Sequence, residues 1–159
     1  MSRDLDVVAP RAPAPTGPAV EVRMLGPRDL PLLAGAPADL VGEAADPRLA
    51  KAILDDPRRF VAAAIAGGRL VGIASAVLAN GTRSLDGLVL REVAVAVEHR
   101  RRGLGRRLLA TLFAHARASG CREARVDAPH DDVALRRLCA AAGGIELPEP
   151  VVRVAFPLG

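Results

Sequence analysis

The stretch Arg100-Arg101-Arg102-Gly103-Leu104-Gly105 constrains this chain more than any other. The apolar run 88–97 comes just before it, where Val93, Val95 and Val97 alternate with Glu92, Ala94 and Ala96 at the period of a strand. A leucine-rich run, Leu104–Ala118, comes after it and places Leu104, Leu108, Leu109, Leu112, Phe113 and Ala116 on one helical stripe. A strand, a short basic loop with glycines and a helix start together build an anion site. Glycine lets the backbone approach a phosphate, and the first N–H groups of a helix have no partner within it. The helix dipole adds about half a positive charge there. Arginines add full charges and forked donors. The spacing therefore predicts a phosphorylated ligand at this loop.

The rest of the chain narrows the class. Its 159 residues suit one domain with a real core. Phenylalanine occurs three times, and tyrosine and tryptophan are absent, so the core is expected to be aliphatic. The lack of tyrosine also removes a common general acid. Net charge is +4, yet Lys51 is the single lysine and acidic residues are interleaved. Without aromatic stacking platforms this argues against a nucleic-acid partner. The basic cluster around the loop is explained by a small phosphate ligand. Cys121 and Cys139 have no metal-type spacing, so no metal is expected. No apolar run reaches about 18 residues and no charged head precedes an apolar leader segment, which predicts a cytoplasmic protein without a membrane span.

Residues 1–18 carry Pro10, Pro13, Pro15 and Pro18 without periodicity and read as a disordered tail; residues 19–159 read as the folded domain. Within it the pattern predicts a strand at 19–25, a short helix at 27–33, and a loose Gly/Ala/Pro stretch. A helix follows from Pro47 to about Leu54, capped by Asp46. Strands at 60–66 and 69–78 flank Gly67-Gly68, a hairpin signal. A turn at Asn80-Gly81 opens a loop that reaches about Gly87. After the strand, loop and helix described above, a strand is expected at Glu123–Ala128. A helix follows, capped by Asp131 or Asp132, with Leu135, Leu138, Cys139 and Ala142 on one face. Gly143-Gly144 ends it, and a last strand covers 151–156. The order β-α-α-β-β-β-α-β-α-β gives an α+β domain around a mixed sheet.

With these elements in this order, the chain resembles the GNAT superfamily of N-acetyltransferases. The superfamily pattern, Gln/Arg-x-x-Gly-x-Gly/Ala between a strand and a helix, is met by Arg100, Gly103 and Gly105. The resemblance covers about residues 20–159. It implies the GNAT fold, with a mostly antiparallel mixed sheet of about six to seven strands flanked by helices. It also implies acetyl-CoA as co-substrate. Arg100, Arg101, Arg102, Gly103, Leu104, Gly105 and Arg106 would form the pyrophosphate cradle, and the strand of Val93, Val95 and Val97 would hold the pantetheine arm. That strand would splay from the next, Glu123–Ala128, to admit the cofactor. The family also makes homodimers frequent.

The region from Ala134 to Gly144 with Pro148-Glu149-Pro150 is similar to GNAT-type aminoglycoside 3-N-acetyltransferases. Asp132, a cofactor-binding position by this resemblance, stands where asparagine is usual, and Cys139 where a proton-donating tyrosine is usual. Cys139 is therefore a catalytic candidate, as the acid or in contact with the CoA sulfur end, against a buried place on the apolar stripe. Glu92 is the candidate base or amine-binding group, against an ion pair with Arg91 or another arginine. His99 reads as a surface or capping residue, and His130, in the loop before the last helix, is weighed as a group that could approach the thioester end. Residues 28–59, which border the acceptor side in the family, hold six acidic and five basic side chains, mild support for a cationic amine. The expected activity is acetyl transfer to a small primary amine such as an aminoglycoside. The alternatives are a non-catalytic acyl-CoA-binding or regulatory module, or acetylation of a protein N-terminus or an aminoacyl-tRNA.

Overall fold

The computed structural model describes residues 17–79, 87–147 and 152–159. The proline-rich tail up to residue 16, the turn at Asn80-Gly81 and the Pro148-Glu149-Pro150 segment lie outside the described residues. Seven strands form one sheet in the order β1-β2-β3-β4-β5-β7-β6. They are β1 (Val20–Met24), β2 (Arg59–Ala66), β3 (Arg69–Leu78), β4 (Gly87–Val95), β5 (Glu123–Ala128), β6 (Ile145–Leu147) and β7 (Val152–Pro157). Among the described residues only β4 and β5 pair in parallel. The helices are α1 (Leu30–Ala34), α2 (Ala38–Val41), α3 (Pro47–Asp55), α4 (Leu104–Ala118) and α5 (Val133–Ala141). This is the α+β architecture expected from the sequence. No helix among the described residues is long and apolar enough to cross a membrane.

Local chemistry accounts for most of these elements. Gly67 and Gly68 both have positive φ, 56° and 73°, which suits the two-residue turn joining β2 to β3. Asp46 accepts a hydrogen bond from the Arg48 N–H at 2.7 Å and starts α3, with Pro47 at its first position. Asp29 receives the Gly26 N–H at 2.8 Å and a forked pair of bonds from Arg23 at 2.8 and 3.0 Å. The Arg23 bond holds the Asp29 carboxyl below the ordinary carboxylate range, with the Gly26 bond assisting against partial burial. Stability from this pair is present above the unfolded carboxyl's pKa and is lost as pH falls through the depressed one. Asp29→Ala should cost about 1–2 kcal/mol at neutral pH. In urea titrations that loss should shrink toward zero at acid pH.

Two cores lie on opposite faces of the sheet. On one face, the α4 stripe Leu104, Leu108, Leu109, Leu112, Phe113 and Ala116 packs on Ala62, Ala64, Ala74, Leu88 and Leu90. On the other, α1 to α3 bring Leu33, Leu40, Val41 and Ala50 against Val61, Ala63, Leu70 and Ile73. With aromatics scarce, small residues on the central strands let α4 close on the sheet. A Cβ at Gly72 would sit 3.1 Å from Leu108 and 3.2 Å from Ala64.

Three expectations are corrected. The stretch read as loose contains α2 and a 3-10 turn, Gly42–Ala45, because Leu40, Val41 and Ala44 bury against the sheet. The short strand β6 was not foreseen; its three residues are too few to show alternation. Strand β4 ends at Val95, so Val97 belongs instead to a 3-10 turn, Val97–His99, and is 69% exposed.

Candidate active site

The parallel ladder between β4 and β5 is short. It joins Gly87 to Glu123, Leu88 to Ala124 and Val89 to Arg125, and then stops. Beyond Val89 the strands part, as the resemblance implied. The gap is a groove of about 780 Å³, walled by Val93 and Val95 of β4 and by Leu135 and Leu138 of α5. The loop between β4 and α4 closes one end of it.

That loop is shaped for an anion. Gly103 sits at the helix cap with φ 75°, and Arg101 also adopts the left-handed region, at φ 61°. Arg101 there costs about 1–2 kcal/mol, which the loop geometry must offset. No side chain caps α4. Its first backbone bond runs from the Arg107 N–H to the Gly103 carbonyl at 3.1 Å, so the Leu104, Gly105 and Arg106 N–H groups keep their donors for a ligand. Gly105 has a separate role: a Cβ there would lie 3.0 Å from Leu138, so glycine lets α5 approach α4.

The arginines divide. Arg101 and Arg106 line the groove. Arg100 also lines it, but its Nε donates to the Val95 carbonyl at 2.9 Å and so ties the loop to the strand end. Arg102 is exposed and is not part of the groove wall, and Arg107 reaches the Val20 carbonyl at 3.1 Å. Val97 is likewise absent from the wall. Asp132 lines the groove, but its side chain already accepts the Leu135 N–H at 3.0 Å as the cap of α5. His99 lines the groove too, with a buried Nδ1 that has no partner among the described residues.

Glu92 owes its position to a β-bulge. Ser75 pairs with Glu92 and the next residue, Ala76, with Leu90, leaving Arg91 as the extra residue. The bulge reverses the alternation of β4. Leu88 and Leu90 face α4 before it, and Val93 and Val95 take that face after it. Ala94 turns to the α1–α3 side, and Glu92 shares its parity. There a second cavity of about 510 Å³ lies under Leu33, Val41 and Ile73. Arg91 and Glu92 line both the groove and this cavity. Burial pushes the Glu92 carboxyl above its ordinary pKa. Among the described residues no arginine pairs with Glu92, so the ion-pair alternative is not realised there.

Cys139 does not belong to the site. It is 0% exposed within the α4-side core and does not line the groove. Burial, with Asp132 and Glu146 adding to it, pushes its thiol up to about 11. A thiol so placed neither touches a ligand in the groove nor ionises at neutral pH. Cys139→Tyr should therefore lower the thermal midpoint by overpacking, at a cost of about 1–3 kcal/mol, without raising turnover. Thermal melts beside rate measurements check this. Reasoning from sequence did not single out Arg91, Arg59 or Glu43 as cavity residues; their only signal was nearness to Glu92 and to the acceptor-side helices. No cluster of three or more His, Cys, Asp or Glu residues able to hold a metal occurs among the described residues.

The groove thus combines a helix start that no side chain caps, two arginines and a pair of splayed strands. The chain belongs to the acetyltransferase (GNAT) family, whose model matches residues 31–143. Over 67 residues it is 48% identical to the mycothiol acetyltransferase of Thermobifida fusca (strain YX). That segment is 42% of this chain and only 20% of the relative's length. The aminoglycoside N-acetyltransferase AAC(6')-Iy in complex with CoA superimposes with a TM-score of 0.70 at 25% identity, covering 86% of this chain and 94% of that one. The ribosomal-protein-S18-alanine N-acetyltransferase from Escherichia coli shares the fold, with a TM-score of 0.68 at 18% identity over 89% of this chain and 95% of that one.

Proposed function

We propose that this protein transfers the acetyl group of acetyl-CoA to a primary amine. The observation that carries the reading is the place of Glu92: one carboxylate borders both the groove and the cavity behind β4. In this reading the groove takes the donor. The N–H groups of Leu104, Gly105 and Arg106 hold the pyrophosphate, Arg101 and Arg106 add charge, and the free edge of β4 around Val93 and Val95 receives the pantetheine arm. Acetyl-CoA supplies a thioester whose carbonyl can be attacked. Glu92 takes the proton of the acceptor amine, and its raised pKa makes it a stronger base than an exposed glutamate. Departure of the thiolate does not require the missing tyrosine, since an ordinary thiol ionises near ~8.5.

The structural neighbours include aminoglycoside acetyltransferases, so an aminoglycoside belongs among the acceptors to be tried. Isothermal titration with acetyl-CoA tests the donor half. Saturable binding is expected, with stability rising by about 2.7 kcal/mol at a hundredfold excess over the dissociation constant. No binding at millimolar acetyl-CoA would refute it.

A further inference from the structure

Resting on the acetyl-transfer reading above, we infer that the acceptor is a compact amine that also carries a carboxylate, an amino-acid-like zwitterion, with Arg59 and Arg91 setting that specificity. The charges that wall the cavity behind β4 are balanced: Glu43 and Glu92 against Arg59 and Arg91. Aliphatic side chains, Leu33 and Ile73 among them, share the lining. A polycation would meet two guanidiniums there, whereas a zwitterion with an apolar body finds a partner for each charge.

The acidic side chains that suggested a polycation are used elsewhere. Of the six between residues 28 and 59, only Glu43 lines the cavity. Asp29 binds Arg23 and the Gly26 N–H, and Asp46 caps α3. Asp55 pairs with Lys51, Asp56 accepts the Arg58 N–H, and Asp39 is exposed on α2.

The guanidiniums, by contrast, are available. Arg59 Nε lies 3.7 Å from Asp56, a loose and half-exposed pair. Arg91, displaced by the bulge, has no acceptor among the described residues. Each is a forked donor on the lining of this cavity, and either one suits a planar carboxylate. Glu92, which also borders the donor groove, then takes the ammonium. The reaction balances: the ammonium loses one proton through Glu92 to solvent, and its nitrogen bonds to the acetyl carbon as the carbon–sulfur bond breaks. A second nitrogen proton ends on the departing thiolate. The products are the N-acetyl amine, CoA thiol and one proton.

The test compares acceptors that differ only in the acid. Thiol release is measured with L-leucine, with leucinamide, with isoamylamine and with tobramycin, at saturating acetyl-CoA. L-leucine should exceed leucinamide and isoamylamine by about tenfold or more in kcat/KM, a factor that corresponds to about 1.4 kcal/mol. Arg91→Gln should bring that ratio close to one through KM rather than kcat, and Arg59→Glu should favour isoamylamine. A preference for tobramycin or leucinamide, or an unchanged ratio in both variants, would overturn the inference while leaving acetyl transfer standing. Normal acetyl-CoA binding with no turnover of any acceptor would overturn the acetyl-transfer reading and this inference with it.

Discussion

Gly103→Glu abolishes acetyl-CoA binding and leaves the protein folded. The space around Gly103 is open, with nothing within 4 Å of an added Cβ, so the side chain itself does not collide with the fold. The φ of 75° adds strain of about 1–2 kcal/mol, and a glutamate at a helix start recovers part of that through the dipole. The effect on the ligand is far larger. A carboxylate there would stand at the mouth of the N–H cradle, and like charges about 4 Å apart repel by about 4 kcal/mol at an effective dielectric of 20. That corresponds to a loss of about a thousandfold in affinity. Gly103→Asn, which tolerates the left-handed region and carries no charge, should retain most of the binding. Titration calorimetry and thermal melts on the two variants separate cradle from fold. Undiminished affinity in Gly103→Glu would place the phosphates elsewhere.

Glu92→Gln is expected to lower kcat by about 10²–10⁴-fold while acetyl-CoA affinity stays near wild type. It should also stabilise the protein, which distinguishes a base from a structural residue. Burial raises the Glu92 pKa in the folded state, so between the unfolded pKa and the raised one the native protein holds more protons than the unfolded chain. Stability therefore falls as pH rises through that window, and above it the charged carboxylate is a fixed cost. Glutamine removes the cost, so the variant's melting point at neutral pH should match or exceed wild type. Wild-type kcat/KM should fall with unit slope as pH drops below the raised pKa. A variant that is both inactive and less stable would make Glu92 structural.

Much of this site was legible because it depends on short-range pattern. The stripe from Leu104 to Ala116 marked the buried face of α4. Within the loop, Gly103 supplies the left-handed cap and Gly105 the close approach of Leu138. The apolar spacing of Leu135, Leu138 and Cys139 already suggested that Cys139 belongs to the core. What could not be read depends on pairing between distant strands. The bulge at Arg91 exists only in the register of β3 against β4, and it decides which face Glu92 serves. The Asp46 cap was read from the sequence, but the bonds of acidic residues 29, 55 and 56 were not, since counting charges does not show what each one binds. The helix α2 was missed because its four residues are held by burial rather than propensity.

The most direct test of the whole account follows both products of one reaction. The protein is incubated with acetyl-CoA and the acceptor panel, and free thiol and acetylated amine are quantified together, the second by mass spectrometry. The account predicts equal molar yields of CoA thiol and N-acetyl product, both falling by at least about a hundredfold in Glu92→Gln. Thiol release without an acetylated amine, or equal yields that survive Glu92→Gln, would contradict it.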